Sequence, residues 1–73
     1  MKLRRKVGEK IYFPATLRDG VTCEAIPSGL AKIEHGTIAG SLVECIAAGS
    51  AEVRVYEGET EIFRVHLAIE AAN

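Results

Sequence analysis

The stretch from Gly40 to Val55 constrains the fold more than any other, because apolar residues alternate with period two on both sides of a small-residue corner. Successive side chains of a strand point to opposite faces, so Val43 and Cys45 share one face, as do Val53 and Val55 further on. Ala47-Ala48-Gly49-Ser50 separates the two runs. The pattern predicts a β-hairpin, which is typical of a scaffold rather than a reaction centre.

Turn-forming residues recur along the whole chain, about every eight to twelve residues. The glycines interpreted as structural turn residues are Gly20, Gly29, Gly36, Gly40, Gly49 and Gly58. The last predicted strand covers residues 61–70 and places Phe63, Val65, Leu67 and Ile69 on one face. We therefore predict an all-β fold, a small antiparallel sandwich or barrel of six or seven strands.

Composition excludes several functional classes. The 73 residues suffice for one domain with one core. The net charge of −1 provides no general attraction for nucleic acid or an anionic membrane, and only 5% of residues are aromatic. No apolar run approaches the roughly 20 residues that span a bilayer. We expect no membrane partner and disfavour nucleic acid.

A chain without a leader is expected to fold in a cytoplasm, unless it was excised from a longer exported protein.

Cys23 and Cys45 lack the spacing of a metal site or a redox motif. We interpret them as small buried hydrophobic residues in a reducing compartment. A disulfide between them is the alternative, and it depends on whether their strands face each other.

Several segments together resemble the bacterial Ig-like domain of group 2, found in intimin- and invasin-type adhesins and in phage virion proteins. The segments are Val7–Lys10, Ser28–Ile33, Gly40–Val43, Ala47–Val55 and Phe63–Ile69. The resemblance implies an Ig-like β-sandwich over residues 7–70, preceded by a basic arm or first edge strand over 1–6 and followed by a flexible tail over 71–73. Cys23 stands nearest to the family's usual Trp, and the segment between Phe13 and Val21 is shorter than usual. The family has no catalytic residues to transfer.

The candidate partner-binding residues are Lys2, Arg4, Arg5 and Lys6, the one concentrated group of charges. They can dock on an acidic protein or a phosphate backbone, or they can keep the chain soluble and discourage unwanted strand pairing. Neither His35 nor His66 has a catalytic partner at a recognisable spacing. The acidic turn around Glu57, Glu59 and Glu61 lacks the pattern of a calcium loop. We predict no catalytic residue, metal site or cofactor.

These observations favour a non-catalytic structural or interaction module. The resemblance and the missing leader point to a phage virion accessory protein, a capsid decoration or tail protein that binds a repeating protein surface or itself. The expected location is the virion, assembled in a bacterial cytoplasm. One alternative is an excised spacer or adhesin repeat of a bacterial surface protein. The other is a small β-barrel regulator that binds nucleic acid through Lys2 to Lys6.

Overall fold

Strands account for most of the chain in the computed structural model, which describes residues 1–72. The strands are β1 (Lys2–Lys6), β2 (Lys10–Phe13), β3 (Val21–Ile26), β4 (Ala31–Thr37), β5 (Gly40–Cys45), β6 (Gly49–Glu57) and β7 (Thr60–Glu70). The sequence predicts a short extended piece over residues 15–17, but Pro14–Leu17 forms a 3-10 turn, as the fixed φ of proline at its start allows. Ala71 and Ala72 have no regular structure, and Asn73, the end of the predicted tail, lies outside the described residues.

The strands form two sheets, of order β1-β7-β6-β3 and β2-β5-β4. The second to seventh strands divide between the sheets as in an immunoglobulin sandwich, with the second, fifth and fourth facing the third, sixth and seventh. The first strand joins the last one in parallel, whereas all other pairs are antiparallel. The predicted small all-β sandwich of six or seven strands is confirmed, with one parallel pair among its antiparallel strands.

The predicted hairpin over residues 40–55 is wrong. Its two strands belong to different sheets, and the small residues between them form a corner where the chain crosses. The Leu30 carbonyl accepts hydrogen bonds from the amides of Ile46 (3.0 Å) and Ala47 (3.3 Å), which holds the end of β5 against β4. Gly49 then starts β6 at φ +148°, where an added Cβ would lie 2.9 Å from Leu30 Cδ1. Small residues serve a sheet-to-sheet corner as well as a hairpin turn, so their presence did not distinguish the two.

The core consists of small aliphatic side chains from the inner faces of both sheets. The buried apolar residues are Phe13, Val21, Cys23, Ala31, Val43, Cys45, Ala51, Val53, Val55, Val65, Leu67 and Ile69. The alternation predicted for β7 therefore holds for its last three inward positions. Phe63 is 38% exposed, because β1 covers β7 only from His66 to Glu70 and leaves the first half of β7 without a neighbour on that side.

The predicted turn glycines occupy the boundaries between strands except for Gly36, which lies within β4 where the pairing register shifts between Glu34 and Thr37. Gly20, Gly29 and Gly58 lie in turns, whereas Gly40 and Gly49 are the first residues of β5 and β6. Gly40 is under the tightest constraint, since its φ is +97° and an added Cβ would lie 2.2 Å from the carbonyl oxygen of Phe13. The close passage of the β2 backbone therefore requires glycine at this position.

We predict that Gly40→Ala lowers the free energy of unfolding by at least about 2 kcal/mol, because the methyl group collides with backbone that cannot move independently. The matched control is Gly58→Ala, where φ is +62° and the space around the Cβ position is open. That change is expected to cost only about 1 kcal/mol. Urea denaturation followed by circular dichroism measures both, and equal losses would contradict the packing at Gly40.

Candidate functional site

The four predicted basic residues lie together on β1, at one edge of the four-stranded sheet. Leu3 on this strand packs against the core and is half-buried. Alternation therefore places Lys2, Arg4 and Lys6 on the outer face of the sheet, and Arg5 on the inner side with Leu3. In register, Lys2 lies beside His66 and Lys6 beside Glu70. The sequence groups these residues, but only the fold divides them between two faces.

The backbone of β1 divides its hydrogen bonds between β7 and the free edge. His66 donates to the Met1 carbonyl and Val7 donates to the Glu70 carbonyl, so odd-numbered residues bond to β7. The backbone groups of the even-numbered residues Lys2, Arg4 and Lys6 therefore face the free edge.

Much of that edge is already occupied by groups of the same chain. Arg5 Nη1 donates to the Arg4 carbonyl at 2.8 Å, and the Lys6 amide donates to Glu9 Oε1 at 2.6 Å. The Glu9 amide also donates to the Lys6 carbonyl at 3.0 Å. Capping of this kind blocks the addition of another strand along the second half of β1.

The side chains of β1 remain available even though the second half of its backbone edge is capped. Arg4 makes a 3.5 Å ion pair with Glu70, but its side chain is 82% exposed. Within residues 1–72, the side chains of Lys2, Arg5 and Lys6 have no carboxylate within 4.0 Å. The edge therefore presents cations to an external partner.

An apolar groove of about 290 Å³ lies beside this edge, between β1 and β2. Its lining includes Met1, Leu3, Ile11, Tyr12 and Phe63. Tyr12 is 54% exposed. Sequence analysis missed this groove, because it is formed by strands of different sheets whose proximity no local pattern encodes.

The outer face of β6 and β7 carries a second set of charges, but these are matched to one another. Arg54 Nη2 lies 3.0 Å from Glu52 and Arg64 Nη2 lies 2.9 Å from Glu61. Arg64 and His66 also approach Glu52, at 3.6 and 3.4 Å. The hydrogen bond from Arg54 lowers the pKa of Glu52. This face offers little net charge to a partner, in contrast to β1.

The two histidines contact polar side chains that spacing along the chain did not predict. His66 Nδ1 lies 3.4 Å from Glu52, and His35 Nδ1 lies 3.4 Å from Ser41 Oγ. Ser41 is only 2% exposed, and its amide donates to Thr16 Oγ1 at 2.7 Å. A serine enclosed in this way is not placed to attack a substrate from solvent.

Two carboxylates of the acidic turn, Glu57 and Glu61, form ion pairs with arginines. Glu57 lies 3.2 Å from Arg18, and Glu61 pairs with Arg64 as described above. Across the described residues, no group of three or more His, Cys, Asp or Glu side chains is arranged to hold a metal ion. The part of the chain that the structure describes also contains no helix of the length and hydropathy needed to cross a membrane.

Cys23 and Cys45 are both buried free thiols, so the alternative of a disulfide is not realised in this structure. They lie on β3 and β5, whereas the disulfide of antibody domains joins the second and sixth strands. Burial raises the pKa of both thiols. A hydrogen bond with Ser41 partly opposes the rise at Cys23, and the nearby carboxylate of Glu9 adds to it at Cys45.

Comparison of the chain with protein-family models, with curated proteins and with solved structures finds no match.

We predict that neither thiol of the native protein reacts readily with Ellman's reagent at pH 8, because both are buried and their raised pKa keeps them protonated. Denaturation in guanidinium chloride should release two reactive thiols per chain. Rapid reaction of the native protein would show that a cysteine is exposed. Fewer than two thiols after denaturation without reductant would reveal a disulfide.

Proposed function

We propose that this chain is a non-catalytic protein-interaction module that docks on an acidic protein surface through the outward side chains of β1. The observation that carries the proposal is the contrast along this strand: the second half of its backbone edge is capped, while the side chains of Lys2 and Lys6 project without a partner in the described chain. An edge of this kind supports ion pairing by side chains and resists strand addition.

The adjoining groove extends the same surface with apolar contacts. Met1 and Tyr12 are exposed there although both are large and apolar in character. Protein interfaces combine an apolar centre with a polar rim, and tyrosine is enriched in them. An acidic partner with an apolar side chain at its centre would contact both parts, with the cations of β1 forming the rim.

The most specific form of the proposal is a virion accessory protein, a capsid decoration or tail protein that binds a repeating surface. Its support is the resemblance of the sequence to group 2 bacterial Ig-like domains together with the confirmed sandwich fold. On a repeating surface, many weak sites give high occupancy, so one basic edge per chain is sufficient. The proposed location is accordingly the virion.

One observation favours a second candidate, a spacer or adhesin repeat of a bacterial surface protein. β1 and β7 run parallel, so the chain enters and leaves the sandwich in the same direction. Tandem domains can be joined end to end in this arrangement, and the long axis of 38 Å would then set the repeat spacing.

The third candidate, a nucleic-acid-binding regulator, has weaker support. The cations of β1 lie close to Glu9 and Glu70, and the described structure contains few exposed aromatic rings for base stacking. A phosphate backbone would be repelled by both carboxylates.

The test of the virion proposal is peptide mass spectrometry of purified phage particles, followed by rebinding of the purified chain to particles from which it has been stripped. The variant is Lys2→Glu/Lys6→Glu, and Lys10→Glu/Arg18→Glu is the control with the same change in net charge. We expect the chain in many copies per particle and at least about tenfold weaker rebinding for the β1 variant only.

Three other outcomes distinguish the candidates. Equal losses for both variants would reject β1 as the docking surface. Absence from particles and recovery with the cell envelope would favour the spacer repeat. A salt-dependent gel shift of duplex DNA that Lys2→Glu/Lys6→Glu abolishes would favour the nucleic-acid regulator.

A further inference from the structure

The backbone groups at the free edge of β4 are uncapped, whereas those in the second half of β1 are capped. The Leu30 carbonyl accepts from the Ile46 amide, and Lys32 and Glu34 stand opposite Glu44 and Leu42 of β5. Backbone bonds alternate in an antiparallel pair, so Leu30, Lys32 and Glu34 bond to β5. The amide and carbonyl groups of Ala31 and Ile33 therefore face the free edge. No other described backbone group caps them in the turns and loops.

The charged side chains of this edge are complementary to those of a second copy of the same edge. Lys32 and Glu34 lie on the outer face of the sheet, and neither has an ion-pair partner within 4.0 Å among residues 1–72. If two copies of β4 pair antiparallel about a twofold axis at Ile33, Lys32 of each copy stands opposite Glu34 of the other. The two Ile33 residues then exchange backbone hydrogen bonds, which their orientation permits.

Other registers of the same edge are disfavoured. A shift of the axis to Lys32 or to Glu34 places like charges directly opposite, which destabilises a strand pair. A shift by half a residue would set inward side chains against outward ones. The sequence Lys32-Ile33-Glu34 thus favours the twofold register centred on Ile33, near the middle of the regular part of β4.

The other free edges lack this property. Two copies of β1 would oppose their lysines and arginines, and the second half of its backbone edge is capped. β2 offers only the short Lys10–Phe13 segment before the 3-10 turn. On β3, Glu24 already accepts a hydrogen bond from the Tyr56 hydroxyl at 2.7 Å. β3 carries no cation that could pair with Glu24 of a second copy.

An open groove of about 520 Å³ runs along the same side of the sandwich, between β3 and β4. Ile33 and Ile46 line it, and Ile46 is 45% exposed. A second copy seated on β4 would cover part of this apolar surface, which adds hydrophobic stabilisation to the backbone bonds and ion pairs.

We propose that the chain forms a symmetric dimer by antiparallel pairing of β4 with β4 of a second copy, centred on Ile33. The two three-stranded sheets become one continuous sheet of six strands. This interface goes beyond the proposed function and does not depend on it, since β1 lies at an edge of the other sheet. A dimer would also present two basic edges to a repeating surface.

The test is sedimentation velocity of the full chain over a range of concentrations, with the variants Lys32→Glu and Glu34→Lys. Each variant replaces two attractive pairs across the axis with two repulsive ones. We expect the dissociation constant to rise at least about tenfold in each. Glu59→Lys, an exposed charge reversal at the β6–β7 turn, is the control and should leave the dimer unchanged.

Mixing the two variants provides the decisive arm. Lys32→Glu chains and Glu34→Lys chains complement each other at both pairs, so their mixture should restore a heterodimer that neither forms alone. Lys32→Glu also faces Glu44 within its own sheet, so circular dichroism must show that both variants fold. A monomeric wild type at 200 micromolar, equal weakening by Glu59→Lys, or failure of two folded variants to associate on mixing would overturn the proposal.

Discussion

The antiparallel ladder between β6 and β7 is the interaction on which the rest of the structure depends. It pairs Gly49–Glu57 with residues 60–69 and occupies the centre of the four-stranded sheet. Val53, Val55, Val65 and Leu67 project from it into the core and are almost completely buried. β1 and β3 add to its two sides, and the second sheet packs over its inner face. A core filled by these aliphatic side chains leaves chemistry and recognition to the surface.

In a sandwich this small, the sheet edges are the principal sites at which function can reside. The edges of β1 and β4 differ in how far their backbone groups are capped. Arg5 and Glu9 cap the second half of the backbone edge of β1, while the cations of this strand project into solvent. The backbone of β4 is uncapped, and its side chains match a second copy of the same strand. The edge of β1 resists strand addition, whereas the edge of β4 favours pairing with a second copy in one register. This combination is consistent with a protein that assembles in a defined way and avoids open-ended aggregation.

The sequence was sufficient to predict the strands because alternation and turn residues act locally. Period two in residues 61–70 identified β7, and Gly58 marked the turn before it. The fold class followed from the regular spacing of such signals. The basic residues of β1 were also recognised, since they are adjacent in the sequence.

Features that depend on contacts distant in sequence were not predictable. The corner at Ala47 and Ala48 was interpreted as a hairpin, because the same small residues also permit a crossing between sheets. The hydrogen bonds that Ile46 and Ala47 make with Leu30 at this corner join residues distant in sequence. Which backbone groups of β1 face the free edge depends on its parallel pairing with β7 at the other end of the chain. The same limit applies to the groove between β1 and β2, and to the contact of His35 with Ser41.

The central claim, that β4 is an open edge used for pairing, is tested most directly by amide hydrogen exchange measured by NMR at several protein concentrations. The Glu34 amide bonds to β5 and should exchange slowly at every concentration. The Ile33 amide should exchange rapidly in dilute protein and become protected as concentration rises. Protection of Ile33 that does not change with concentration, or rapid exchange at all concentrations, would contradict the account.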